Sequence, residues 1–274
     1  MSVRRKYEAI RGFFDQDEPS AVPTVIGPTP EFFGLKSRSW PKLIAEIDEL
    51  CSKSSDPGVS YKVFFFGRHG EGFHNAAITQ YGQQAWDEKW GLLDGDGKLI
   101  WGPDPRLTAI GEDQARNAHA AWKREIAHGI PVPHKFYCSP LKRALRTLEL
   151  TFEGFLPVDP KPIILENCRE HYGRHSCDKR STRSALQSEF PNFVFEEGFE
   201  EEDVLYSAER ETEANLQRRA KLVLDRIFEK DDDTYISVTA HCGWIRGALH
   251  TIGREIYELP TGGTIVAVVK GTVI

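Results

Sequence analysis

YKVFFFGRHGEGFHN, residues 61–75, decides how the rest of the chain is read. Tyr61–Phe66 is an aromatic and β-branched run interrupted only by Lys62. It is bounded by Gly58 and Gly67, which predicts a short buried strand. The residues after it set Arg68, His69, His74 and Asn75 among Gly67, Gly70 and Gly72. Glycine lets a backbone approach an anion closely. A guanidinium donates two parallel hydrogen bonds to phosphoryl oxygens, and a neutral imidazole is a nucleophile. Together these residue types suit nucleophilic phosphoryl transfer. A turn carrying a solvated histidine is the plainer reading of the same stretch.

Working outward, the chain alternates strands and helices. Thr108 is placed to cap a helix running to about Ala127. His134–Cys138, Pro162–Leu165, Tyr235–Ala240 and Thr264–Val269 are strand candidates. Pro140–Phe152, Glu209–Phe228 and Trp244–Ile252 are helix candidates. In the second of these, Leu216, Ala220, Val223 and Ile227 fall on one helical face. Such alternation predicts an α/β fold, a central mostly parallel sheet with helices on both faces. Ligands of such sheets collect at the carboxyl ends of the strands. Arg68-His69-Gly70, Ser139-Pro140, Glu170 and His241 each follow a predicted strand, so one pocket could gather them. Residues 1–58 read as an arm packed on a domain of residues 59–274. Prolines 19, 23, 28 and 30 interrupt it, and Phe13, Phe14, Phe32 and Phe33 are its anchors, with a short helix over Ser39–Leu50.

The 274 residues are 40% hydrophobic and 28% charged, enough for a sizeable core. A net charge of −6 argues against nucleic-acid binding through bulk charge, so an anionic substrate would need a local arginine cluster. The five cysteines are odd in number, form no CxxC, and come with no N-x-[ST] site or apolar leader. That predicts free thiols in a reducing compartment, the cytoplasm, with the nucleus also open. No apolar run is long enough to cross a bilayer, so no membrane association is expected. Oligomeric state is not legible.

Here the stretch RHGEGFHN resembles the signature of the histidine phosphatase superfamily, in its phosphoglycerate-mutase-like branch. LTAIGEDQA at 107–115, SPLKRALRT at 139–147 and VTAHCGWIRGAL at 238–249 resemble its further motifs in the right order. Together they span about residues 61–250. CREHYGRHSCDKR and the long N-terminal arm look most like the fungal phosphomutase-like phosphatases. The resemblance implies roles residue by residue. His69 takes the phosphoryl group, Arg68 and Arg143 hold its oxygens, His241 adds a charged donor, and Asn75 donates to the same oxygens. Glu170 protonates the leaving alkoxide, which asks for a raised pKa. Mutases place that acid one residue earlier, where this chain has Arg169, so Glu166 is a second candidate. His175, Lys179 and Arg180 could reach a second anionic group. No metal and no cofactor is implied, because two arginines and a histidine can neutralise the three equatorial oxygens. The substrate implied is a small-molecule phosphate ester. A phosphomutase is the alternative, and an inactive relative that binds a phospho-ligand or a partner is a third reading.

Other constellations weigh less. Cys168, His171, His175 and Cys177 have zinc-like spacing, but the acid motif and several cations are interleaved with them. Cys242 beside His241 is not expected to form an ion pair, since neighbours at a strand end point apart. Gly95-Asp96-Gly97-Lys98 lacks the P-loop pattern and reads as a turn. Trp86, Trp90 and Trp101 read as core or lid packing.

Overall fold

The structure, a computed structural model, describes residues 4–274. Its sheet contains β1 (Arg5–Ile10), β2 (Val59–Arg68), β3 (Lys135–Cys138), β4 (Ile163–Ile164), β5 (Val194–Phe195), β6 (Tyr235–Ala240) and β7 (Thr264–Val273). The strand order is β1-β7-β2-β6-β3-β4-β5. β2, β6, β3, β4 and β5 run parallel, and β7 is antiparallel to both β2 and β1. The helices are α1 (Pro23–Ile26), α2 (Trp40–Lys53), α3 (Phe73–Tyr81), α4 (Gln83–Glu88), α5 (Ala109–Ala127), α6 (Lys142–Thr151), α7 (Arg183–Glu189), α8 (Glu213–Lys230) and α9 (Cys242–Thr251).

The aromatic run explains why β2 lies inside the sheet. Successive side chains alternate faces. Phe64 and Phe66 pack with α8 and α9 on one side, while Val63 and Phe65 pack with α2, α5 and α6 on the other. Both faces are therefore covered, as expected for parallel strands. Lys62, the one charge in the run, reaches the carbonyls of Asp231 and Asp233 at 2.7 and 2.6 Å.

Register makes the site. Arg68 pairs with Ala240 across β2 and β6, and Cys138 pairs with Thr239 across β3 and β6. The three strands end almost flush, so His69, Ser139 and His241 leave the sheet side by side.

Two boundaries shift from the expected ones. α8 begins at Glu213, because Thr212 caps it and Glu211 is bound to Arg219 instead of joining the helix. α9 begins at Cys242, with His241 extended as its N-cap residue. The N-terminal segment adds β1 to the sheet edge and sets α2 against Phe65, with Phe14, Phe33, Trp40, Leu43 and Ile47 buried. Gly95–Lys98 is a turn, in which Asp96 Oδ1 accepts from the amides of Lys98 and Leu99.

Candidate active site

The loop after β2 is bolted to the start of α5. The Glu71 amide donates to Gln114 Oε1 at 2.7 Å, and the Glu71 carbonyl accepts from the Thr108 amide at 2.9 Å. Thr108 Oγ1 caps α5 by accepting from the Gly111 amide, and it donates to Glu71 Oε1 at 2.7 Å. A Cβ on Gly70 would lie 2.2 Å from the Gly111 carbonyl oxygen, and one on Gly111 would lie 2.0 Å from the Glu71 carbonyl oxygen. Two backbones this close exclude any side chain at either glycine. The residues of LTAIGEDQA are thus the socket for the histidine loop.

In that socket His69 Nδ1 lies 2.6 Å from the Gly70 carbonyl oxygen. A carbonyl only accepts, so Nδ1 carries the proton and Nε2 keeps its lone pair. Burial, with Arg143 and Arg68 nearby, holds His69 well below the usual imidazole range. It is therefore neutral near pH 7, the state a nucleophile needs. Its ring lies 4.9 Å from that of His241 and 5.6 Å from that of His74, centroid to centroid.

The cations around it are held from behind. Arg143, in the first turn of α6, donates to the Cys177 carbonyl at 2.8 Å and to Asp178 Oδ1 at 2.9 Å. Arg68 donates to the Leu259 carbonyl at 2.7 Å. His241 Nε2 contacts Ser139 Oγ at 2.7 Å. The expectation of a charged His241 is corrected here: burial, then Arg143 and His69, hold it well below the usual range, so it is neutral among these groups. A phosphoryl dianion placed among them would raise it.

Among the described residues, eleven buried side-chain nitrogen and oxygen atoms lack a hydrogen-bond partner. Five of them, Arg68 Nε, His74 Nδ1, Arg143 Nε, His175 Nε2 and His241 Nδ1, belong to residues lining or bordering a single cavity of about 450 Å³. An unpaired buried polar group costs about 1–3 kcal/mol, more when charged. Gathering five around one space is the signature of a polar, anion-receiving site.

Glu170 closes the cavity. Its Oε2 accepts from the Gly243 amide at 2.9 Å, and its Oε1 accepts from both the amide and the Nδ1 of His171 at 3.0 Å. Burial works to raise its pKa, but the hydrogen bond and charge of His171 and the Gly243 amide outweigh it and hold the carboxyl well below its usual range. The raised pKa expected of a free-standing acid is therefore corrected: Glu170 rests as a carboxylate.

The family assignment rests on a model for the histidine phosphatase superfamily (branch 1), which matches residues 64–260, most of the chain and every strand-end residue just described. The chain belongs to the histidine phosphatase superfamily. It is 37% identical to a probable phosphoglycerate mutase of Arthroderma benhamiae, over 96% of this chain and 84% of that one. It is 33% identical to phosphomutase-like protein 3 of Candida albicans, over 96% and 80%. Among solved structures, the alignment with a phosphoglycerate mutase from Thermus thermophilus covers 74% of this chain and 91% of that one, at 23% identity and a TM-score of 0.42.

The residues expected from the sequence to bind substrate divide. Asn75 lines the cavity, with Oδ1 committed to the Gly72 amide at 2.9 Å, so only its amide nitrogen is left to donate. His175 also lines it, edge-on to Trp86. Lys179 and Arg180 do not, which corrects the expectation for both. Lys179 is exposed over the Tyr206 ring. Arg180 is buried, with its guanidinium on Glu166 and the carbonyls of Ser181, Glu200, Glu201 and Glu202. Glu166 is likewise spent on Arg169 and Arg180 and lies outside the cavity lining, so it is not positioned as an acid. Arg169 itself is fully buried on Asp203.

Sequence reasoning missed Arg210, Arg246 and Asp178 and weighed His171 only as a zinc ligand, yet all four are on the lining. The position of His171, next to Glu170, was a signal; the two arginines carry no motif. Cys168 packs in the α8–α9 core and Cys177 against the Trp86–Trp101 cluster, so the zinc-like spacing does not gather its side chains. The Cys242 thiol donates to Glu258 Oε2 and is pushed up to about 12, chiefly by burial. A larger cavity, about 670 Å³, lies where residues 10–13 meet α2, and Arg68, His69, Arg143, Glu170 and His241 are all outside its lining.

Proposed function

We propose that this protein is a phosphoric monoester hydrolase that passes the phosphoryl group of a small-molecule ester through His69 Nε2, with no metal or cofactor. The observation that carries this reading is the group of unpartnered buried nitrogens around a neutral, tautomer-fixed His69. In this mechanism His69 Nε2 attacks phosphorus while Arg68, Arg143, His241 and the Asn75 amide take up the charge on the equatorial oxygens. Glu170 stands by the leaving oxygen and later takes the proton of the attacking water. Because the arginines are pre-anchored, little reorganisation accompanies charge transfer.

Hydrolysis is favoured over a mutase reaction by what surrounds this cluster. The cavity lining has four arginines against six carboxylates. Arg210 is already paired with Asp178, and Arg246 with Glu213 and Glu258. A phosphoglycerate mutase must hold a second anionic group, and here the cations beyond the phosphoryl end are neutralised. The named mutase relatives keep that activity as a second reading. Five free cysteines, three of them buried, support a reducing compartment, the cytoplasm or nucleus.

The test is phosphate release from a panel of esters in EDTA, with a phosphoglycerate and its bisphosphate primer assayed beside them. Release from monoesters without primer is expected. Phosphoryl movement between hydroxyls that requires primer would replace the hydrolase reading by the mutase one.

A further inference from the structure

The resting Glu170 carboxylate poses a question of supply: a leaving alkoxide needs a proton, and Glu170 holds none. We propose that this proton is stored on the Glu170–His171 pair, with His171 as the positioning residue that loads Glu170 and the exposed Glu213 as its link to solvent. This rests on the hydrolase reading above and extends it.

The geometry is specific. His171 faces Glu170 through two donors, its amide and Nδ1, both 3.0 Å from Oε1. The opposite ring nitrogen, Nε2, lies 2.9 Å from Glu213 Oε1. An imidazole between two carboxylates donates from both nitrogens, which is the imidazolium form. Glu213 is 59% exposed in its side chain whereas His171 is 11% exposed, so the chain of groups runs from the cavity to bulk water. Gly243 is the fourth wall. A Cβ there would lie 2.1 Å from Glu170 Oε1 and 2.8 Å from His171 Nδ1, so the pair is packed to a tolerance that only glycine allows.

The charges facing His171 agree with this assignment. Glu170 and Glu213 favour the imidazolium. Arg210, whose Nη1 donates to the His171 carbonyl, opposes it, and Arg246 lies beyond, engaged by Glu213. Burial also opposes it, yet the hydrogen bond and charge of Glu170 prevail and His171 is raised above its usual range.

The steps balance. The His69 Nε2–P bond forms as the P–O bond to the leaving group breaks. The His171 Nδ1 proton passes to Glu170 and from that carboxyl to the leaving oxygen, which leaves a neutral imidazole. In the second half, water attacks phosphorus and the P–N bond breaks. The proton released by water returns through Glu170 to His171 Nδ1.

The experiment compares the pH profile of kcat/KM for the native protein, His171→Asn and Glu213→Gln, on an alkyl phosphate and on p-nitrophenyl phosphate. Asparagine keeps a donor aimed at Glu170 but cannot titrate. For His171→Asn on the alkyl ester, a loss of about 10²-fold at neutral pH is expected, with the basic limb moved to acid pH. On p-nitrophenyl phosphate, whose leaving group needs no proton, about a fivefold loss or less is expected. Glu213→Gln is a surface change that leaves the core intact, and should move the basic limb down by about half a pH unit. Unchanged basic limbs in both variants, or equal losses on both esters, overturn the inference while leaving the hydrolase reading intact. A native protein that releases phosphate from neither ester overturns both.

Discussion

Replacing Gly243 by alanine separates catalysis from folding. The new Cβ would sit 2.1 Å from Glu170 Oε1, where ordinary contact begins at 3.4 Å, so the carboxylate must retreat by 3.4 − 2.1, about 1.3 Å. The His171 ring, whose Nδ1 and Cε1 would lie 2.8 Å from the same Cβ, must shift as well, so the strain falls on two side chains at the cavity and not on the backbone or the apolar core. Position 243 is the second residue of α9 and has no positive φ, so alanine fits its backbone without strain. The hydrogen bond from the Gly243 amide to Oε2 would be stretched as well. A displacement of about 1 Å at a proton-transfer group costs about 10²-fold in rate. Gly243→Ala should therefore melt within a few degrees of the native protein and lose about 10²-fold in kcat on an alkyl phosphate, with KM little changed. The assay is phosphate release under saturating ester beside a thermal melt of the same sample. A variant with kcat within about threefold of native would refute the placement of Glu170 at the leaving oxygen.

Arg143→Ala removes a pre-anchored donor to the phosphoryl oxygens and should cost about 10²–10³-fold in kcat/KM; near-native turnover would end its clamp role. Arg180→Ala should do the opposite, costing about 1–3 kcal/mol of stability in urea unfolding because a row of buried carbonyls and the half-buried Glu166 carboxylate lose their donor, with KM unmoved; a raised KM at full stability would return it to the substrate site. His69, His74 and His241 are each held below their usual range, chiefly by burial, so the unfolded chain binds protons that the folded one does not. Stability is then full above about pH 6.5 and falls as pH drops below it, by at most about 1.4 kcal/mol per pH unit for each histidine. Melting curves between about pH 7.5 and 5 check this, and a flat melting temperature across that window would contradict it.

What was legible in the sequence was what one element decides alone. Tyr61–Phe66 announced a strand covered on both faces because every residue but Lys62 is apolar or aromatic, and Thr108 announced a helix start because capping is local. RHG and the paired arginines were legible because their chemistry is strung along a few residues. β1 was not: RKYEAI buries Tyr7 among mostly exposed or half-buried neighbours, so its pattern is that of any arm, and only pairing with β7 makes it a strand. The ionisation of Glu170 was also hidden, since it depends on the Gly243 amide, 73 residues away, and on a His171 ring whose direction no spacing reveals. Lys179 and Arg180 looked like an anion clamp, yet the half-buried carboxylate of Glu166 and a row of carbonyls captured Arg180. Arg210 entered the cavity because Asp178 draws it there, a pairing across 32 residues that leaves no local mark.

The most direct measurement is rapid-quench trapping of the phosphorylated protein from a labelled ester, with the modified residue located by mass spectrometry and His69→Ala run in parallel. An acid-labile, base-stable phosphoryl group on His69 that forms and decays within the turnover time, and is missing from His69→Ala, is the predicted result. A label on any other side chain, or phosphate release undiminished in His69→Ala, would contradict the phosphohistidine route at its first step.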